Sequence, residues 1–119
     1  MGTTQVQVKR IYEDVEPSDG ARVLVDRLWP RGISKERADL TLWAKEVAPS
    51  TDLRKWYNHD PAKFADFTAK YEDELKNPPQ SDEFAKLVEM AKASPLTLLT
   101  ASKAVDISEA SVLQKLLMP

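Results

Sequence analysis

Three short segments of this 119-residue chain carry side chains suited to holding an anion or moving a proton. The first is Asp26-Arg27-Leu28-Trp29-Pro30-Arg31-Gly32, and the second is Thr100-Ala101-Ser102-Lys103. If both segments leave one sheet at the same edge, Arg27, Arg31 and Lys103 converge there. Arginine's planar fork suits carboxylate or phosphate, which it grips with two parallel bonds. Asp26 and Ser102 are then placed to orient groups by hydrogen bonding, Asp26 chiefly by holding the arginines. The third segment, Leu53-Arg54-Lys55-Trp56-Tyr57-Asn58-His59-Asp60-Pro61, adds cations, two aromatic rings and the chain's one histidine. His59 is the natural proton carrier near neutral pH, because its ordinary pKa lies there. Plainer roles compete at each position. Asp26 pairs with an arginine to tie a loop down, Trp29 packs as core or lid, and His59 bonds to backbone at a helix entry. Trp43 and Trp56 fall on helical stripes and are expected in the core.

Composition removes several chemistries. The chain has no cysteine and one histidine, so disulfides, thiol catalysis, cysteine-ligated zinc and His-rich metal sites are out. Three glycines leave little room for a backbone phosphate cradle, and no nucleophile elbow or metal-ligand spacing is present. No metal is therefore expected, and the sequence identifies no cofactor. A net charge of −2 and a pI near 5.4 speak against a dedicated nucleic-acid binder. The charge is unevenly spread, however. Residues 22–55 hold eight basic and five acidic side chains, whereas residues 56–89 hold four basic and eight acidic. No apolar run reaches the length of a membrane span, and the N-terminus has no signal-like core, so a cytoplasmic protein without membrane contact is expected.

These groups must be positioned by the elements around them. Gln5–Tyr12 alternates as a half-buried strand, and Pro17 to Gly20 form a turn. Arg22–Leu28 is an apolar, β-branched run of the kind buried on both faces of a sheet. Ser34 caps a helix bearing Leu40, Trp43, Ala44 and Val47 up to Pro49, and Ser50 or Thr51 caps a short one. Asp60-Pro61 opens a helix buried through Phe64, Phe67, Tyr71 and Leu75, stopped by Asn77-Pro78-Pro79. Ser81 caps the next helix, Leu96–Thr100 forms a second buried strand, and Asp106 and Glu109 read as a capping box for the last helix. The fold class is α/β: one domain over residues 1–119, with a small, mostly parallel sheet of about three strands covered by about five helices. The two apolar strands pair in parallel, and the direction of the first is left open by its loop. Ligands in such sheets bind outside the carboxyl ends of the strands.

The stretch Val23-Leu24-Val25-Asp26-Arg27-Leu28-Trp29-Pro30-Arg31-Gly32, followed by Ser34-Lys35, resembles the opening signature of the YeaO-like family. That family is a branch of a larger group of small bacterial domains of unknown function. Ala48-Pro49-Ser50, Leu53-Arg54-Lys55-Trp56 and His59-Asp60-Pro61 are similar to its second signature, and Leu98 to Lys103 to its third. The resemblance implies no settled activity, but its motif positions include Asp26, Arg27, Trp29, Arg31, Arg54, His59 and Lys103. It also implies a difference: Ile107 stands where many relatives have a histidine, so a mechanism needing two imidazoles is not expected. The functional expectation is an enzyme or former enzyme that binds an anionic small molecule. Arg27, Arg31, Arg54 and Lys103 would hold the anion, His59 and Asp26 would be the catalytic candidates, and Trp29 and Ser102 would line the pocket. The alternative is a regulatory module binding nucleic acid or protein without catalysis.

Overall fold

The computed structural model describes residues 5–118. The chain runs β1 (Val6–Arg10), β2 (Ala21–Leu24), α1 (Lys35–Ala38), β3 (Leu42–Trp43), α2 (Thr51–Tyr57) and α3 (Phe64–Glu74). It continues through α4 (Gln80–Ala93), β4 (Leu96–Thr100) and α5 (Glu109–Leu117). The four strands make one sheet in the order β1-β4-β2-β3, and every pairing is parallel. The expected α/β class therefore stands, with one strand more. The open question of β1 is resolved by its register on β4, from Val6 opposite Leu96 to Arg10 opposite Thr100.

β4 is buried along its whole length, as a central strand with helices on one face and packed loops on the other must be. Val6, Val23, Val25, Leu96 and Leu98 face a larger core closed by α2 to α5. Leu24 and Leu99 face the other way, into a smaller core with Ile11, Ala38, Trp29 and Trp43. The period of two along each strand sorts these side chains between the cores.

Several local expectations hold and several fail. Ser34, Ser50 and Asp60 all cap as expected, each accepting from a backbone amide in the turn that follows. The helix expected to run from Ser34 towards Pro49 ends after α1, because Asp39 takes a left-handed cap conformation (φ 48°). Leu42 and Trp43 then pair with Val23 and Leu24, and the amides of Thr41 and Ala44 bond to carbonyls of Arg22 and Leu24. Edge pairing plus a 3-10 turn at Lys45–Val47 buries the same apolar residues that a helix would have. β2 is shorter than the apolar run: after Val25 the chain leaves the sheet, and Leu28 is 63% exposed. Ser81 is not a cap, since α4 begins at Gln80 directly after Pro79. The capping box at Asp106 and Glu109 does not form either. Residues 105–107 make a 3-10 turn, Ser108 is the N-cap, and Glu109 turns its carboxyl elsewhere. Trp56 is not in the core; it is 38% exposed, with the Nζ atoms of Lys63 and Lys70 5.0 and 5.2 Å from its ring.

The loop from β1 to β2 is held by a buried ionic cluster. Asp19 is 1% exposed and accepts from Lys9, Arg22 and Gln7, while its own carbonyl takes the Thr97 hydroxyl. Burial alone would raise the Asp19 pKa, but Lys9, the Glu16 amide and Arg22 outweigh it and hold the carboxyl below its ordinary value. Burial likewise opposes the charge on Lys9, and Asp19 and Glu16 overcome it, so its pKa is raised. Gly20 closes the loop with φ 64°, and an added Cβ there would meet the Pro95 carbonyl oxygen at 2.3 Å. Among the described residues, no helix is long and apolar enough to cross a membrane.

Candidate functional site

The carboxyl ends of the parallel strands open into a cleft of about 440 Å³, within the range of small-molecule sites. The residues after β2 supply Asp26 to Arg31, and those at the end of β4 supply Thr100 to Ser102. Tyr12 comes from beyond β1, and Arg54, Tyr57 and His59 come from α2 and the turn after it. Glu109 enters from the first turn of α5. Both strand exits singled out in the sequence therefore reach one cavity, at the edge where an open parallel sheet takes its ligands.

Asp26 does not pair with an arginine. Its Oδ1 accepts from the Thr100 hydroxyl at 2.8 Å, and its Oδ2 accepts from the Ala101 amide at 2.7 Å. Neither the expected loop-tying ion pair nor the orientation of arginines by Asp26 is present among the described residues. Asp26 is also the neighbour of the Glu109 side chain, which lines the same cleft. Glu109 is partly buried. Burial, and then Asp26 beside it, raise the Glu109 pKa well above the ordinary value. The positive end of α5 favours the ionised form by about 0.3–1 kcal/mol. That is too little against desolvation plus a neighbouring carboxylate. The arrangement is a carboxyl pair in which burial and the neighbouring Asp26 favour the neutral form of Glu109.

The arginines divide into two kinds. Arg27 is largely committed: its Nη2 donates to the carbonyls of Ala48 and Pro49, and its Nη1 lies 3.5 Å from Glu46. Its Nε–H is buried without a hydrogen-bond partner. Arg31 and Arg54 are exposed cleft residues, and neither has an ion-pair partner among the described residues. The Arg31 backbone is fixed by the Tyr12 hydroxyl, which donates to its carbonyl at 2.9 Å. Arg54 rides on α2, whose capping Ser50 donates from its amide and its hydroxyl to Glu74. Lys103 is exposed and does not line the cleft.

Ser102 and Trp29 both line the cavity. Trp29 acts as a wall: its Nε1 donates to the Ile33 carbonyl at 2.6 Å, and its ring meets Trp43 edge-on at 5.2 Å. His59 sits exposed at the cleft after Asn58, and both residues have positive φ, 45° and 55°. Its ring lies 6.3 Å from that of Tyr57, and no hydrogen bond orients it among the described residues. The backbone bond expected of it at a helix entry is absent there too. Tyr57 stacks on Phe67 and donates to the Ile107 carbonyl at 2.7 Å; burial, Asp60 and Glu109 raise its pKa, so it remains a neutral donor. The Ile107 side chain is not among the cleft-lining groups. Among the described residues, no cluster of three His, Asp or Glu side chains is placed to hold a metal ion.

Three contributors escaped the sequence reading. Arg10 ends β1 and Tyr12 follows just beyond it, and the direction of that strand was undetermined. With β1 parallel, Arg10 donates to the Ser102 carbonyl and packs its guanidinium 5.0 Å over the Tyr12 ring. Glu109 was absorbed into a capping box, and its position three residues after Asp106 gave no sign of a partner on β2.

The chain is 46% identical to the uncharacterized protein Rv3073c of Mycobacterium tuberculosis (strain H37Rv), over 96% of its own length and 94% of that protein. It is 45% identical to the uncharacterized protein YeaO of Escherichia coli (strain K12), over 91% of its length and 92% of that protein. No solved structure matches it. A family model described as the inactive DUF488-N3 subclade matches residues 5–119. Full-length similarity to YeaO and to that model places the chain in the YeaO-like family, within the subclade described as inactive DUF488-N3.

Proposed function

We propose that the cleft binds an anionic small molecule, phosphate- or carboxylate-bearing, without turning it over. The observation that carries this reading is a pair of exposed cleft arginines, Arg31 and Arg54, neither of which forms an ion pair among the described residues. Arginine at a site opening is usually neutralised when its role is structural, as Arg27 is by Glu46. Lys103 lies outside the cleft and takes no part in this version of the site.

Binding without catalysis fits two further facts. The family is described as an inactive subclade. His59, the candidate proton carrier, has no group to set its tautomer or direction among the described residues, which efficient acid–base work requires. Asp26 is the better-held group, and it serves here as an acceptor. The test is thermal unfolding with sulfate or phosphate against sodium chloride of equal ionic strength. At about ten times the dissociation constant a specific anion adds roughly 1.4 kcal/mol, worth roughly 5 °C in a domain of this size. Arg31→Ala and Arg54→Ala should each remove most of that increment. An increment unchanged in both variants refutes the site.

A further inference from the structure

The cleft is lined by two chemically different sets of groups. Arg31 and Arg54 are cationic donors, whereas Asp26 and Glu109 form an acceptor surface. A bare anion brought against the carboxyl pair would meet acceptors in place of donors. The favoured ligand keeps its negative group at the arginines and presents hydrogen-bond donors to the carboxyl pair.

The acceptor surface also restricts what those donors are. Asp26 already receives the Thr100 hydroxyl and the Ala101 amide, with Glu109 as its third neighbour. A carboxylate offers about four acceptor directions, so roughly one remains free on Asp26, with more on Glu109. An ammonium needs three acceptors to offset its lost water. Hydroxyls need one each, and can also accept a hydrogen bond from a donor such as Ser102, which lines the same cleft. Two guanidinium groups without ion pairs among the described residues offer more donors than a carboxylate accepts comfortably, and suit the three terminal oxygens of a phosphomonoester.

We propose that the ligand is a phosphomonoester of a sugar or polyol, with its phosphate at Arg31 and Arg54 and its hydroxyls on the Asp26–Glu109 pair. This assignment rests on the anion-binding reading above, and names the ligand class for the same cleft. Trp29 and Tyr57 add aromatic side chains to the lining of the same cleft.

The test is calorimetric titration of the full chain at constant ionic strength with four probes: inorganic phosphate, ribose 5-phosphate, ribose and phosphoethanolamine. Ribose 5-phosphate should bind at least about tenfold more tightly than inorganic phosphate, as one or two hydrogen bonds to a charged acceptor allow. Asp26→Asn and Glu109→Gln should collapse that ratio towards one, and Arg31→Ala should weaken both phosphates together. Glu109→Gln is the decisive variant if Asp26→Asn, at a strand end, fails to fold. A ratio near one in the wild type, a ratio that survives Glu109→Gln, or tighter binding of phosphoethanolamine than of ribose 5-phosphate overturns the assignment and leaves the anion site standing. If neither inorganic phosphate nor ribose 5-phosphate binds, the anion site itself fails.

Discussion

Replacing Glu109 by glutamine isolates the proton held beside Asp26. Burial and the Asp26 carboxylate raise the Glu109 pKa well above its ordinary value of 4.5. The folded chain thus keeps a proton that the unfolded chain releases as the pH passes 4.5. Below that pH both states are protonated and the group costs nothing. Above it the native state binds more protons than the unfolded state, so stability falls as pH rises, until the folded-state pKa is passed. For one proton the limiting slope is about 1.4 kcal/mol per pH unit, or roughly 5 °C of melting temperature per unit at this chain length. The favourable field of Arg54 is already included in the direction of the shift and only softens it. Glutamine has nearly the same shape, donates an N–H to Asp26, and has no proton to lose. Melting curves followed by circular dichroism from about pH 4 to about pH 8, in buffers free of phosphate and sulfate, give the comparison. The two proteins should melt together at the acid end, and the variant should melt progressively higher as pH rises. Groups that titrate in both proteins cancel in the difference. A difference that stays flat across this range shows that Glu109 and Asp26 share no proton, and the account of the carboxyl pair is then wrong.

The ionic cluster under the β1–β2 loop makes a second prediction. Asp19→Ala leaves Lys9 and Arg22 buried without their shared partner, which should cost about 3–5 kcal/mol in urea unfolding. A loss under about 1 kcal/mol shows that water reaches those cations. Because the Asp19 pKa is lowered from 3.8, its contribution is present above that pH and should drain away as the pH falls below it; Asp19→Ala should lack this acid limb. Gly20→Ala meets both a positive φ and the Pro95 carbonyl, and should destabilise by more than the roughly 1 kcal/mol of conformational cost alone. An unaltered urea midpoint would show that the backbone at Pro95 moves aside.

What could be read from the sequence is what local chemistry decides. Ser34, Ser50 and Asp60 cap because a short oxygen-bearing side chain before a helix has few better partners. Pro30 and Gly32 announce that the chain leaves the sheet, and with it that Asp26 to Arg31 stand at a strand end. The missing parts depend on partners far along the chain. Leu42 and Trp43 share their spacing with a helix face, and only pairing with Val23 and Leu24 makes them a strand. Asp26 had two arginines nearby in sequence, while its actual neighbours, Thr100, Ala101 and Glu109, lie more than seventy residues away. Arg27 looked as free as Arg31 until the 3-10 turn at Lys45–Val47 brought Glu46 and the following carbonyls beneath it. Charge and spacing identify candidates, but pairing decides which charges remain available.

The position of β4 in the sheet also bears on how the chain acquires its structure. β1 pairs only with β4, and it is joined to β2 and β3 only through that strand. During synthesis, residues 6–10 therefore wait for residues 96–100 before forming a single ladder bond. Such long-range closure slows folding, because the entropy of the intervening chain is lost before contacts compensate it. Over that interval the apolar edges of β1 and β2 are exposed, the condition in which nascent chains associate wrongly. Lys9 and Arg22, which end as buried partners of Asp19, are charged residues on those same waiting strands. Before folding they act as gatekeepers against strand pairing between chains, and after folding they pin the loop that joins the two strands.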